Sequence, residues 1–278
     1  MRAIILLCAV LTAAAAIAQT PAPSEPVPPA QPAVAPPAEP PPPETTEAKV
    51  ARLITEGDAL YRERFRQTTW RECLARYQEA QRLDPKNFEV LWRLARQYFF
   101  LAERSNDDDS KQDLGMRGYE WGQKAIAAQP LRIEGHYFSG IALGQYALGI
   151  SVVKALVKGI DGDYTRAIGA ALKIDRGFDL GGPLIAMGRY YYNLPWPKYD
   201  AEKSIQFLKE AIQKGDKLRA HFYLAETYLE EEQYADALRE VEIVLSRKLA
   251  AGQGDYADDL WFQQQAPALK KKIQEEMD

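Results

Sequence analysis

Two arginines set among aromatic residues are the side chains best suited to bind something. Arg96 lies close in sequence to Trp92 and Phe99, and Arg189 to Tyr192 and Asn193. A guanidinium offers a planar fork of donors to a carboxylate, and rings beside it add apolar area, so the pairing suits an anionic ligand. Tyr137, Gln145, Phe222 and Glu226 hold corresponding places in other helical segments and complete the candidate set, with Arg96 and Arg189 as its anion-recognising pair. A plainer reading has both arginines paired with neighbouring Asp or Glu on the surface, and the tyrosines engaged in ordinary packing.

Other reactive residue types do not assemble into a catalytic pattern. His136 and His221 fall at equivalent places on the packing faces of two helices, where a buried, hydrogen-bonded histidine is the expected role. Neither has further ligands at the short spacing that zinc requires, so no metal and no cofactor are expected. Cys73 sits at a packing position without a base beside it, and Asp107, Asp108 and Asp109 read as part of a polar loop from Arg104 to Gln112. Gly181-Gly182-Pro183 lacks the Gly-Lys-Ser/Thr ending of a nucleotide loop and reads as a tight turn, with Pro183 in the first helical position. Leu194-Pro195-Trp196-Pro197 reads as a turn that ends a helix and leaves Trp196 free to pack or to anchor a partner. The chain is therefore expected to bind and not to catalyse.

Composition agrees. The 278 residues are 46% hydrophobic and 27% charged with a net charge of -4, enough to bury a core and without the basic field that nucleic acid would require. Residues 1–18 have the form of a secretory signal: Arg2, an uncharged apolar run from Ala3 to Ile17, and Ala16-Ile17-Ala18, with cleavage expected after Ala18 and export to the periplasm or beyond. Leu6 and Leu7 before Cys8 do not fit a lipoprotein signal, so the mature chain is expected off the membrane. Residues 19–46 form a linker whose stretch from Pro21 to Pro43 holds 12 of the 18 prolines, an extended spacer of up to roughly 70 Å at ~3.1 Å per residue.

From residue 47 to 278 the periodicity is helical, and the six remaining prolines fall at segment boundaries. Small residues recur where helices must cross closely: Gly57 and Ala80, Ala95 and Ala125, Gly140 and Ala171, Gly188 and Ala211, Ala225 and Ala237. This matches the tetratricopeptide pattern and predicts an all-α, tetratricopeptide-like superhelical stack of about five antiparallel helix pairs, closed by a capping helix over Tyr256 to Met277. The ten candidate residues then share the concave groove of the first helices. The apolar run Ile150 to Ile160, with Lys154 and Lys158 on one side, reads as an extended helix that packs in the core; its alternatives are a membrane-touching or subunit-contact helix.

The stretch Gly181-Gly182-Pro183, Gly188 to Tyr192, Leu194-Pro195-Trp196-Pro197 and Lys203 to Ala211 resembles the tetratricopeptide-like T-component family of TRAP-type transporters. Leu91 to Arg96 and Gly118 to Ala125 resemble the related regulator-of-microtubule-dynamics family. The resemblance implies a periplasmic helical protein whose groove holds a solute-binding protein or a small anionic solute, with room for homo-oligomerisation. A generic envelope scaffold for protein assembly is the alternative. The long proline-rich tether and the absence of a lipoprotein cysteine set this chain apart from that family.

Overall fold

The computed structural model describes residues 44–277. The signal sequence and nearly all of the proline-rich linker lie outside the described residues. Twelve helices and no strands are present among them. They run α1 (Thr46–Arg62), α2 (Thr69–Leu83), α3 (Phe88–Glu103), α4 (Asp108–Ala128), α5 (Ile133–Gly149), α6 (Val152–Val157), α7 (Ile160–Ile174), α8 (Phe178–Asn193), α9 (Ala201–Gly215), α10 (Leu218–Glu230), α11 (Tyr234–Ser246) and α12 (Tyr256–Met277). Helices pair as α1 with α2, α3 with α4, α5 with α7, α8 with α9 and α10 with α11, the most extensive contact of all joins the second pair to the third through α4 and α5, and α12 caps the last pair. This is the expected stack of five pairs plus a cap.

Local chemistry starts the helices where it should. Thr45, Asn87, Asp107 and Asp200 each accept a backbone N–H from the first turn of the helix that follows, satisfying donors that the helix itself leaves open. Asp107 is thus a cap, and Asp108 and Asp109 belong to the first turn of α4. The expected loop over 104–112 is only four residues long, because that cap extends the helix backwards. Arg104 is no loop residue in character either: its side chain is buried, 4.0 Å from the Trp261 ring centroid.

The small residues mark the crossings. A Cβ added at Gly122 would lie 2.6 Å from Ser139 Cα, and one at Gly115 2.5 Å from the Tyr146 nitrogen, so α4 rides on α5 at backbone distance. Tyr77, fully buried, fills the space over Gly57 in the first pair.

Two segments depart from expectation. The run from Ile150 to Ile160 does not extend α5: Ser151 (φ 75°) and Gly159 (φ 71°) both take left-handed backbone and isolate the six-residue α6 as a separate turn. At the start of α8, Asp179, Leu180 and Gly181 all have positive φ, and Pro183 enters the first turn of the regular helix beyond them. The tight turn is there, wider by two residues than the Gly-Gly pair alone indicates.

The stack curls far enough for its ends to touch. Phe65, in the turn after α1, meets Tyr256 at the start of α12 edge to face, ring centroids 5.2 Å apart. Arg64 from the same turn is ion-paired with Asp255. These contacts join the two ends of the stack across the groove expected from the repeats and leave a half-open central cavity.

Candidate functional site

The cavity has a volume of about 360 Å³ and is walled by the inner faces of α3, α5, α8 and α10, with α6 and the start of α12 at its margins. The walls follow helical spacing. On α3 the lining positions are Trp92, Arg96, Phe99 and Glu103; on α8 they include Ile185, Arg189 and Asn193; on α10, Arg219 and Tyr223.

Of the ten candidate residues, seven line this cavity: Trp92, Arg96, Phe99, Tyr137, Gln145, Arg189 and Asn193. Trp92 stacks on Phe138 at 5.5 Å and donates its indole N–H to Glu89. Tyr137 donates its hydroxyl to Asp179 at 3.0 Å, and burial pushes its phenol well above the ordinary pKa. Tyr192 stands behind the wall, its ring 4.5 Å from the Arg189 guanidinium, and Glu226 accepts from Arg189 at 2.7 Å. Phe222 is not in the groove. It is buried in the C-terminal core against Phe262, because one residue along a helix is a turn of about 100°, and Tyr223 takes the cavity-facing position instead.

The two arginines are not free forks. Arg96 donates to Asp58 at 2.8 Å and to the Tyr77 hydroxyl at 2.9 Å, with its guanidinium 3.7 Å from the Tyr61 ring centroid. Its Nε is buried without a partner. Arg189 is clasped between Tyr192 and Tyr223 while it holds Glu226. Both therefore pair with carboxylates of the chain, as the plainer reading has it, but neither sits on the open surface.

A second group of charges has no counterpart in the candidate set. Lys217 is buried, its ammonium 3.0 Å from Asp179 and 3.5 Å from Asp255. Burial pulls its pKa down, but the charges of Asp179, Asp255 and Asp258 outweigh this and hold it above the ordinary lysine value. Arg219 donates to Glu103 on one side and to Asp258 on the other. Burial raises the Asp258 pKa, yet Arg219 foremost, with Lys217 and Arg104, keeps it well below the usual carboxylate range. Asp259 beside it is pushed up to about 6, chiefly by burial. The i, i+4 pair Arg219 and Tyr223 is legible as the inner stripe of α10; Asp255 and Asp258 are not, since the packing of α12 on α10 brings them to Lys217 and Arg219, and the meeting of the ends brings Asp255 to Arg64.

Five cations line the cavity (Arg64, Arg96, Arg189, Lys217, Arg219) and five carboxylates (Glu103, Asp161, Asp179, Asp255, Asp258), so its wall is charge-balanced. Its remaining surface is mostly aromatic and aliphatic.

The histidines lie elsewhere. His221 is buried between α10 and α11, with Nδ1 2.6 Å from Glu240 and Nε2 2.7 Å from Asp216. His136 is only half-buried and meets the Pro130 carbonyl at 2.8 Å, so its place is the edge of the packing face and not its interior. Cys73 is buried with its thiol 3.3 Å from Gln97 Oε1.

Comparison with known proteins supports the architecture. The family model for regulator of microtubule dynamics protein 1-3 matches residues 53–160, which span α1 to α6. Among solved structures, a thermophilic TPR protein of Thermus thermophilus superposes with a TM-score of 0.61 at 18% identity, covering 79% of this chain and 98% of that one. No curated protein sequence matches the chain.

Proposed function

We propose that this tetratricopeptide-like repeat protein is an exported, non-catalytic binding module whose central cavity receives a small solute or the projecting group of a partner protein. A repeat scaffold of this kind suits protein–protein interaction in general. The single observation that carries the narrower reading is the recessed, half-open cavity at the centre of the stack. Its volume of about 360 Å³ lies within the few hundred Å³ usual for small-molecule sites. The balanced wall favours a ligand with paired charges or none on an apolar or aromatic body. A simple anion would have to displace Asp58 from Arg96 or Glu226 from Arg189.

On this reading the chain is an accessory of a TRAP-type solute uptake system, working beside a solute-binding protein. The resemblance across Gly181 to Pro197 and the solute-sized cavity support that placement. Native mass spectrometry of the chain purified from its own cells tests the cavity. Wild type should carry a small bound mass that Gln145→Trp, which fills the cavity from α5, lacks. A protein partner captured equally by both forms, with no small mass on either, would favour the assembly-scaffold reading.

A further inference from the structure

The rim formed by α6 and the 194–198 turn lines the cavity on its inner side and carries exposed apolar side chains on its outer side. Helix α6 turns Val152, Ala155 and Leu156 toward the cavity. Val153 and Val157, one helical turn apart on its other face, are 59% and 85% exposed. Trp196 is 87% exposed. Its turn is tied to the start of α7 by Lys198, which donates to Asp161 at 3.3 Å, four residues beyond Val157. With Leu148 at the end of α5, this rim holds half of the eight large apolar side chains exposed among the described residues.

Its charge is equally distinctive. Asp161 and Asp163 at the start of α7 are paired with Lys198 and Arg166, which leaves Lys154 and Lys158 without a carboxylate partner among the described residues, in a chain whose net charge is -4. A short apolar row flanked by lysines, with an exposed indole on the turn that Lys198 ties to α7, is the composition that settles at a membrane interface: valines enter the acyl boundary, Trp takes the headgroup level and lysines meet anionic lipid. A second copy of the chain fits less well, since a twofold contact would set these lysines against themselves. No helix among the described residues is long and apolar enough to cross a membrane.

We propose that the α6–Trp196 rim docks on an anionic lipid surface and so presents the margin of the cavity to the bilayer. The left-handed residues Ser151 and Gly159 serve this by detaching α6 from the helices on either side and turning its outer face to the solvent.

The test uses the full chain and vesicles carrying brominated phosphatidylglycerol, whose bromines quench indole fluorescence only at contact. The quenching attributable to Trp196 is the difference between wild type and Trp196→Phe, which separates this rim from any insertion by the N-terminal apolar run. The expected result is strong quenching of Trp196 that is lost in Val153→Asp with Val157→Asp, at unchanged helicity. Lys154→Glu with Lys158→Glu should weaken the vesicle partition reported by Trp196 by about tenfold or more. Absent quenching of Trp196, equal quenching in the double aspartate variant, or equal quenching on purely zwitterionic brominated vesicles would overturn the proposal. So would sedimentation showing that the aspartate variant converts a dimer to a monomer, which would assign the rim to self-association.

Discussion

Arg219 in α10 donates to Glu103 at the end of α3, 116 residues earlier, with Nη2 2.9 Å from Oε2. The same guanidinium grips Asp258 of α12 through Nε at 3.0 Å. One side chain from the fifth helix pair thus joins the second pair to the cap across the middle of the superhelix. Removing one partner from a buried ion network leaves the other charges uncompensated, at a cost of about 3–5 kcal/mol. Asp258→Ala is therefore expected to lose about that much stability in urea unfolding. The Asp258 contribution is present above the ordinary carboxylate pKa near 3.8 and fades as pH falls below it toward the depressed folded value. The gap between wild type and variant should accordingly shrink in strongly acidic buffer.

Asp259 behaves in the opposite sense. Its carboxyl is raised from 3.8 to about 6, mainly by burial, and accepts the Leu218 N–H at 3.2 Å. A raised carboxylate favours the fold below its unfolded pKa and opposes it once pH passes the folded value. Asp259→Asn keeps an acceptor and removes the charge. It should match wild type near pH 4 and exceed it at pH 8 by on the order of 1 kcal/mol, less than the ~3 kcal/mol of two pKa units because the group is partly solvated. Thermal melts at the two pH values measure this.

His221 should make the fold less stable as pH rises. Burial alone would lower its pKa, but hydrogen bonds to Glu240 and Asp216, with their charges, outweigh that and hold the ring above 6.5. Its contribution is complete below the unfolded pKa near 6.5 and is lost as pH climbs through the raised folded value. Urea midpoints of wild type and His221→Gln should differ most in slightly acidic buffer and converge toward alkaline pH.

Gly122→Ala is expected to destabilise by about 1–3 kcal/mol, the usual cost of overpacking a tight crossing. Its Cβ would press on the Ser139 backbone, which cannot move aside as a flexible side chain would. Gly169→Ala serves as the control, since nothing lies within 4 Å of its added carbon and alanine is the better helix former. Equal melting temperatures for the two variants would contradict this account of the α4–α5 contact.

Cys73 should be chemically silent in the native protein. Burial pushes its thiol up to about 12, so almost no thiolate exists at neutral pH. In a Cys8→Ser background, a thiol reagent at pH 8 should label the native chain slowly and the urea-unfolded chain at once.

The helix pairs could be read from the chain because their cause is local. Gly57, Gly122, Gly188 and Ala225 recur at the spacing that lets one helix lie on another, whereas Asp107, which reads as a loop residue, caps α4. The inner stripe of α3, from Trp92 to Phe99, was equally visible, as a helix of known face carries its side chains at fixed angles. Phe222 was misplaced by a single residue, since the register of α10 against the cavity depends on how it packs on α12 and not on its own pattern.

Sequence alone determined that this protein is a tetratricopeptide-like stack with aromatic and arginine residues on its inner wall. Tertiary structure decided that the wall curls round a half-open cavity, that Arg96 and Arg189 are already held by Asp58 and Glu226, and that Asp255 and Asp258 come to meet Arg64, Lys217 and Arg219. The reason is cumulative geometry. Each repeat adds a small rotation set by side-chain packing, and only their sum brings residues more than a hundred positions apart within hydrogen-bonding distance.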